Sequence, residues 1–237
     1  MQSKSDENKI DVSTRIRYCD HIPIHSTDYT EESMFFEPSN GMRPSPLQHN
    51  PLNALVCPRP IGWISSIGVG GAVNLAPFSY FNAVSADPPC VMFAPNAASS
   101  EGEKDTYRNV VEIPEFVVNL VSVQLAQKMN QTSTSFGYDI NEFEACGLTP
   151  ISSKLIRPPR VEESKAALEC TVYDVVHLPI GTDGRKSHVV VGEVVGIHID
   201  DELIVAGRID ERRLNSIARL GYFNYATLGA ILEIPRP

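Results

Sequence analysis

The sequence predicts a mainly β protein with a few short helices, whose antiparallel strands close into a barrel or pair in two layers to hide their edges. Three observations predict it. Apolar residues alternate with small or polar ones over residues 61–67, two long runs at 167–177 and 188–199 are rich in Val, Ile and Thr, and most connections are hairpin-length turns. With 42% hydrophobic and 21% charged residues over 237 positions, the chain can bury a sizeable core.

Residues 1–33 are polar and patternless and read as a flexible amino-terminal extension, while residues 34–237 read as one domain. Pro38, Pro44, Pro46 and Pro51 forbid a long helix at its start. A strand over 61–67 then turns through Gly68-Val69-Gly70-Gly71, where positive φ is tolerated, and returns over 72–75. Two further strands, 78–84 and 90–93, flank the stiff corner Asp87-Pro88-Pro89, in which neither proline can donate to a ladder.

A short helix is expected over 104–111, with Asp105 or Thr106 as N-cap and Pro114 beyond its end. Residues 116–121 form an apolar strand and 124–130 a second short helix. Residues 133–165 are irregular, apart from one helical turn over 141–146. The runs 167–177 and 188–199 make a long hairpin. Residues 210–220 read as a helix that starts at Asp210 and is capped by Gly221, followed by the aromatic segment Tyr222-Phe223-Asn224-Tyr225.

The formal net charge is −9, from 20 Lys+Arg against 29 Asp+Glu. A surface of that sign repels phosphate backbones and anionic headgroups, so neither nucleic acid nor a membrane is expected as partner. No uninterrupted apolar window reaches about 18 residues, and the first residues lack the apolar region of a secretory signal. The five cysteines are odd in number, widely spaced and without a C-x-x-C pair. They read as reduced thiols of a cytoplasmic protein rather than disulfides or a structural zinc site.

His21 and His25 stand four apart in the extension and read as solvated, so no metal site is expected. The chain has no G-x-G-x-x-G after a strand, no P-loop, no H-E-x-x-H and no G-x-S-x-G, which excludes the corresponding chemistries.

Three stretches offer binding chemistry. Lys104-Asp105-Thr106 sets a cation and a hydroxyl beside the free amides of a helix start, where an anion such as phosphate is stabilised; an ordinary helix start with a surface lysine is the plain alternative. Leu75-Ala76-Pro77-Phe78-Ser79-Tyr80-Phe81-Asn82 could line a flat aromatic ligand or simply fill a core. Arg59-Pro60-Ile61-Gly62-Trp63 holds a guanidinium between prolines beside the only Trp.

Together these stretches resemble a known family. Pro58-Arg59-Pro60-Ile61-Gly62-Trp63-Ile64-Ser65-Ser66, Asn74-Leu75-Ala76-Pro77-Phe78-Ser79-Tyr80-Phe81-Asn82 and Lys104-Asp105-Thr106 are similar to blocks of the flavin reductase-like, FMN-binding split-barrel family. Asn141-Glu142-Phe143-Glu144-Ala145-Cys146-Gly147-Leu148, Pro158-Pro159-Arg160, Leu168-Glu169-Cys170 and Gly192-Glu193-Val194 continue the likeness in the same order, over about residues 34–229. The resemblance implies a Greek-key split β-barrel and a homodimer with FMN near the subunit interface.

It also implies roles. Ser79, Tyr80, Phe81 and Asn82 are expected along the isoalloxazine, and Lys104, Asp105 and Thr106 at the phosphate. Arg59, Ser65 and Ser66 are expected at phosphate or ribityl oxygens, and Tyr222 over the flavin. His188 matches the histidine of an Asp-His pair near the nicotinamide or flavin, but Ser187 stands where Asp is usual, so a catalytic and a purely structural histidine both stay open.

Flavin chemistry brings its own electron sink, which explains the lack of a catalytic triad or paired carboxylates. The implied function is an FMN-dependent oxidoreductase that passes hydride from NADH or NADPH to FMN and electrons on to a small-molecule acceptor. An FMN-binding electron carrier without nicotinamide turnover and an FMN-dependent oxygenase are the alternatives.

Overall fold

The computed structural model describes residues 34–38, 43–96 and 102–236. In chain order its strands are β1 (Arg59–Pro60), β2 (Gly62–Ile67), β3 (Val73–Phe78), β4 (Phe81–Ala86), β5 (Pro89–Phe93), β6 (Glu115–Asn119), β7 (Pro150–Ile151), β8 (Arg160–Val161), β9 (Ala166–His177), β10 (His188–Ile199), β11 (Ile204–Val205), β12 (Arg208–Ile209), β13 (Ile217–Arg219) and β14 (Tyr225–Thr227). The helices are α1 (Leu52–Leu55), α2 (Asp105–Glu112), α3 (Ala126–Gln131), α4 (Glu142–Ala145) and α5 (Glu211–Leu214). All lie in a compact unit spanning Pro38–Pro237.

Seven strands form one antiparallel sheet in the order β3-β2-β6-β9-β10-β5-β4. Its two edge strands are neighbours in sequence, since β3 ends at Phe78 and β4 begins at Phe81. Three residues of chain reach at most about 10 Å. The sheet must therefore curl until its edges meet at Ser79-Tyr80, giving a barrel with one seam that no ladder closes: a split barrel. A smaller sheet, β1-β13-β14, continues from the start of β2.

The hairpins β2–β3, β4–β5 and β9–β10 lie where alternation and turn residues predict them, with Gly71 taking positive φ (85°) in the first turn. The single strand expected over 78–84 is instead the end of β3 and most of β4, because the chain crosses the seam at Ser79-Tyr80.

The expected helix over 104–111 is α2, but Lys104 takes the N-cap position and its side chain makes no cap bond. The Thr106 hydroxyl donates to Asn74 Oδ1 and the Asp105 carboxylate binds Arg108, so neither performs the capping expected of it.

The helix expected over 210–220 is corrected most. Asp210 does cap it, accepting from the Arg212 amide, but α5 ends at Leu214 because Asn215 is left-handed (φ 48°). The chain then pairs with β1 and β14 as β13, burying the β-branched Ile217. Ladder bonds and burial on both sides outweigh continuation of an exposed helix.

Strand β2 shows how both sheet faces are filled. Ile64 packs into the barrel with Phe93, Phe116, Val118 and Val190, under Tyr107 and Val110 of α2. Trp63 packs on the opposite face with Leu75, Met129 and Phe143, on the side that carries α3 and α4. Each such fully buried side chain contributes about 1.5–3 kcal/mol.

One carboxylate is buried with them. The Lys154 and Leu155 amides donate to the two oxygens of Glu169 at 2.7 Å each, and His198 Nε2 lies against the first. Burial pushes this carboxyl up, but the donors outweigh burial and hold it below the ordinary glutamate range.

No helix among the described residues is long and apolar enough to cross a membrane. Among the described residues no three His, Cys, Asp or Glu gather in a metal-holding arrangement, and Cys57, Cys90, Cys146 and Cys170 are free thiols. Cys19, His21, His25 and the rest of residues 1–33 lie outside the described residues.

Candidate functional site

Two cavities open beside the seam. The first, of about 530 Å³, lies between β3, the start of α2 and residues 132–138. Ala76, Pro77 and Phe78 form one wall and Lys104, Asp105 and Thr106 another. The sequence folds this way because β3 must end at the seam, and because α2 has to cap the barrel with Tyr107 and Val110.

A hydrogen-bond chain makes one polar wall. Thr106 Oγ1 donates to Asn74 Oδ1 at 2.6 Å, Asn74 Nδ2 donates to Glu142 Oε1 at 2.8 Å, and the Leu75 amide donates to Glu142 Oε2 at 3.1 Å. Thr106, Asn74 and Glu142 are all buried. Burial raises the Glu142 carboxyl above its ordinary range, against the pull of those donors. The amides of residues 105–107 have no partner within the helix, so they carry the partial positive charge of a helix start toward the cavity that Lys104 lines.

The second cavity, of about 390 Å³, shares Pro77 and Ser133 with the first. Arg59, Ser79, Arg219 and Tyr222 line it. Arg59 is 7% exposed; its Nη1 donates to the carbonyls of Asn53 (2.6 Å) and Val56, and its Nη2 to that of Leu220 (3.0 Å). Tyr222 holds φ at +57°, a conformation rare for a bulky side chain, and its ring lies 5.4 Å from that of His49.

The structure thus gathers Lys104, Asp105 and Thr106 in one cavity, and Arg59, Ser79 and Tyr222 in the other. Tyr80 stands behind the second cavity, its hydroxyl donating to Asn53 Oδ1 at 2.7 Å and its ring 5.8 Å from the Arg59 guanidinium carbon. Phe81 covers Gly62 across the seam, and Asn82 Oδ1 accepts from the next amide on exposed β4.

Ser65 and Ser66 line neither cavity. Both are fully buried; Ser65 Oγ donates to the Pro159 carbonyl at 2.5 Å, and Ser66 Oγ accepts from Asn109 Nδ2 at 3.1 Å. Their hydroxyls are committed to internal bonds.

His188 is also outside both cavities. Its ring stacks on Tyr107 (centroids 4.1 Å apart, 10° between planes) and its Nδ1 meets His177 Nδ1 at 2.9 Å, so one ring donates and the other accepts. Burial, and then the charge of His177, lower the His188 imidazole below its ordinary range. Its Nε2 is buried without a partner among the described residues.

Asn74 and Glu142 sit inside sequence blocks singled out above, but nothing in a single sequence marks them as facing each other. Residues 132–138 and Arg219 carried no signal of their own.

These features define a split-barrel protein with paired cavities at the barrel seam. The flavin reductase like domain family matches residues 54–224, and the chain belongs to that family. An uncharacterised protein of Aquifex aeolicus is 40% identical over 168 residues, covering 70% of this chain and 83% of its own. Nitrilotriacetate monooxygenase component B from Bacillus cereus has the same fold (TM-score 0.78, 31% identity), covering 86% of this chain and 100% of that one. The 2-nitrobenzoate 2-nitroreductase of Pseudomonas fluorescens follows (TM-score 0.69, 30% identity; 78% and 88% covered).

Proposed function

We propose that the protein is an FMN-dependent oxidoreductase that accepts hydride from NADH or NADPH and passes electrons to a small-molecule acceptor. The observation that carries this reading is the meeting of the Ala76-Pro77-Phe78 wall with the Lys104-Asp105-Thr106 helix start in one cavity at the seam, in a chain of the flavin reductase like family.

The residues present fit the cofactor. The cavity lies within the roughly 300–1,000 Å³ of small-ligand sites. One end offers Lys104 and helix amides to a phosphate, and the other the strand wall of Ala76, Pro77 and Phe78. FMN would supply the electron-accepting ring itself. Lys104 and the α2 amides hold the anionic end, the Thr106-Asn74-Glu142 chain fixes the wall, and Pro77 and Phe78 exclude water from one face.

Exposed Val84, Tyr173, Val195 and Ile197 support a homodimer formed through the outer sheet face, with the flavin near that interface and the protein in the cytoplasm. A second reading, an electron carrier without nicotinamide turnover, is favoured by His188, which is stacked and paired away from both cavities. The visible spectrum of the purified protein, followed by anaerobic mixing with NADH and with NADPH, tests both. Flavin bleaching within seconds supports the oxidoreductase; bound flavin that only dithionite reduces supports the carrier; failure to take up FMN overturns both.

A further inference from the structure

Arg59 and Arg219 are direct partners in the β1–β13 ladder, which sets two cations side by side at the second cavity. Like charges directly opposed destabilise a sheet. Neither guanidinium has a carboxylate partner among the described residues. Arg59 is buried and donates to carbonyl oxygens, and its Nε has no acceptor among the described residues.

Arg219 is half-buried, donates to the Tyr222 carbonyl and lies 4.6 Å from the centre of the Tyr225 ring. Among the described residues no Asp or Glu lines this cavity, whereas Glu103, Asp105 and Glu142 all line the first. In a chain of net charge −9, the second cavity is therefore a local positive well. Its walls add the rings of Tyr222, Phe223 and Tyr225, and Tyr222 is held there in a strained left-handed conformation (φ +57°).

A buried guanidinium, a second arginine paired with it across the ladder and the tyrosines that line the cavity are elements of recognition for a flat anion. Resting on the assignment of the first cavity to the flavin, we propose that the second cavity binds an aromatic carboxylate. Its ring lies among Tyr222, Phe223 and Tyr225 and its carboxylate meets Arg219, with the Arg59 charge behind. Because Pro77 and Ser133 border both cavities, the bound ring sits next to the flavin wall.

The test uses the full chain, with and without FMN, titrated calorimetrically with benzoate, with neutral benzamide and with ADP. Benzoate is expected to bind more tightly than benzamide, and Arg219→Gln to weaken benzoate by at least about tenfold while FMN affinity is unchanged. Arg219→Lys, which keeps the charge, should retain the preference for benzoate over benzamide, and this holds the test open should Arg219→Gln fold poorly.

Equal binding of benzoate and benzamide overturns the proposal. So does Arg219→Gln weakening FMN but not riboflavin, which would give the arginine pair to the flavin phosphate, or tight binding of ADP with none of benzoate, which would make the cavity a nucleotide site. Benzoate binding in a chain that takes up no FMN would sustain the second cavity and remove the flavin assignment instead.

Discussion

Phe81 lies across the seam of the barrel on Gly62: a Cβ built on that glycine would fall 2.7 Å from the Phe81 ring. Gly62 is paired with Phe78 in the β2–β3 ladder, so the two phenylalanines on either side of the Ser79-Tyr80 crossing both bear on one residue. The seam is closed by this contact rather than by backbone hydrogen bonds.

Gly62→Ala should accordingly force Phe81 off the seam. A loss of about 1–3 kcal/mol is expected from the overpacking. Urea unfolding of the variant measures it, and Phe81→Leu, which shortens the ring side of the contact, should recover part of the loss in the double variant.

Lys104→Ala should weaken FMN by about 1.5–3 kcal/mol, the usual range for a charge-assisted hydrogen bond, and leave riboflavin affinity unchanged. Flavin fluorescence titrations with both ligands check this. An equal loss for both would place the lysine away from the phosphate.

Thr106→Val removes the donor that Asn74 Oδ1 accepts at 2.6 Å, leaving a buried amide oxygen unsatisfied next to Glu142. A stability loss of about 1–3 kcal/mol is expected. Thermal unfolding measures it, and a variant as stable as the parent would show that the wall tolerates a broken chain.

Glu169 predicts the direction of acid sensitivity. Its carboxyl titrates lower in the folded protein than in the unfolded chain, so its contribution to stability is fully present above the ordinary glutamate pKa of about 4.3 and is lost as pH falls through the depressed folded value. Denaturation midpoints measured downward from pH 6 should fall in the parent, and fall less steeply in Glu169→Gln, which is destabilised at neutral pH.

Much of the fold was legible because its signals are local. Alternation in β2, the Gly-rich turn and the two Val-rich runs of β9 and β10 each announce themselves within a dozen residues. The helix expected over 210–220 failed for the opposite reason: its last residues are claimed by β1, some 160 positions earlier in the chain. Local helix signals cannot report a ladder partner that distant. The site divides the same way. Lys104-Asp105-Thr106 was visible as a helix start, whereas the Asn74–Glu142 bond and the Arg59–Arg219 pairing exist only once the barrel is closed. Ser65 and Ser66 show the converse, polar residues on a strand whose hydroxyls serve the interior.

The single tryptophan has a use of its own. Trp63 is fully buried, and its Nε1 donates at 2.9 Å to Thr132 Oγ1, a residue of the first cavity's wall. The chain therefore carries a single indole, shielded from water and tethered to the rim of the candidate cofactor site. Its emission can follow occupancy of that cavity in the unlabelled protein, without interference from a second indole.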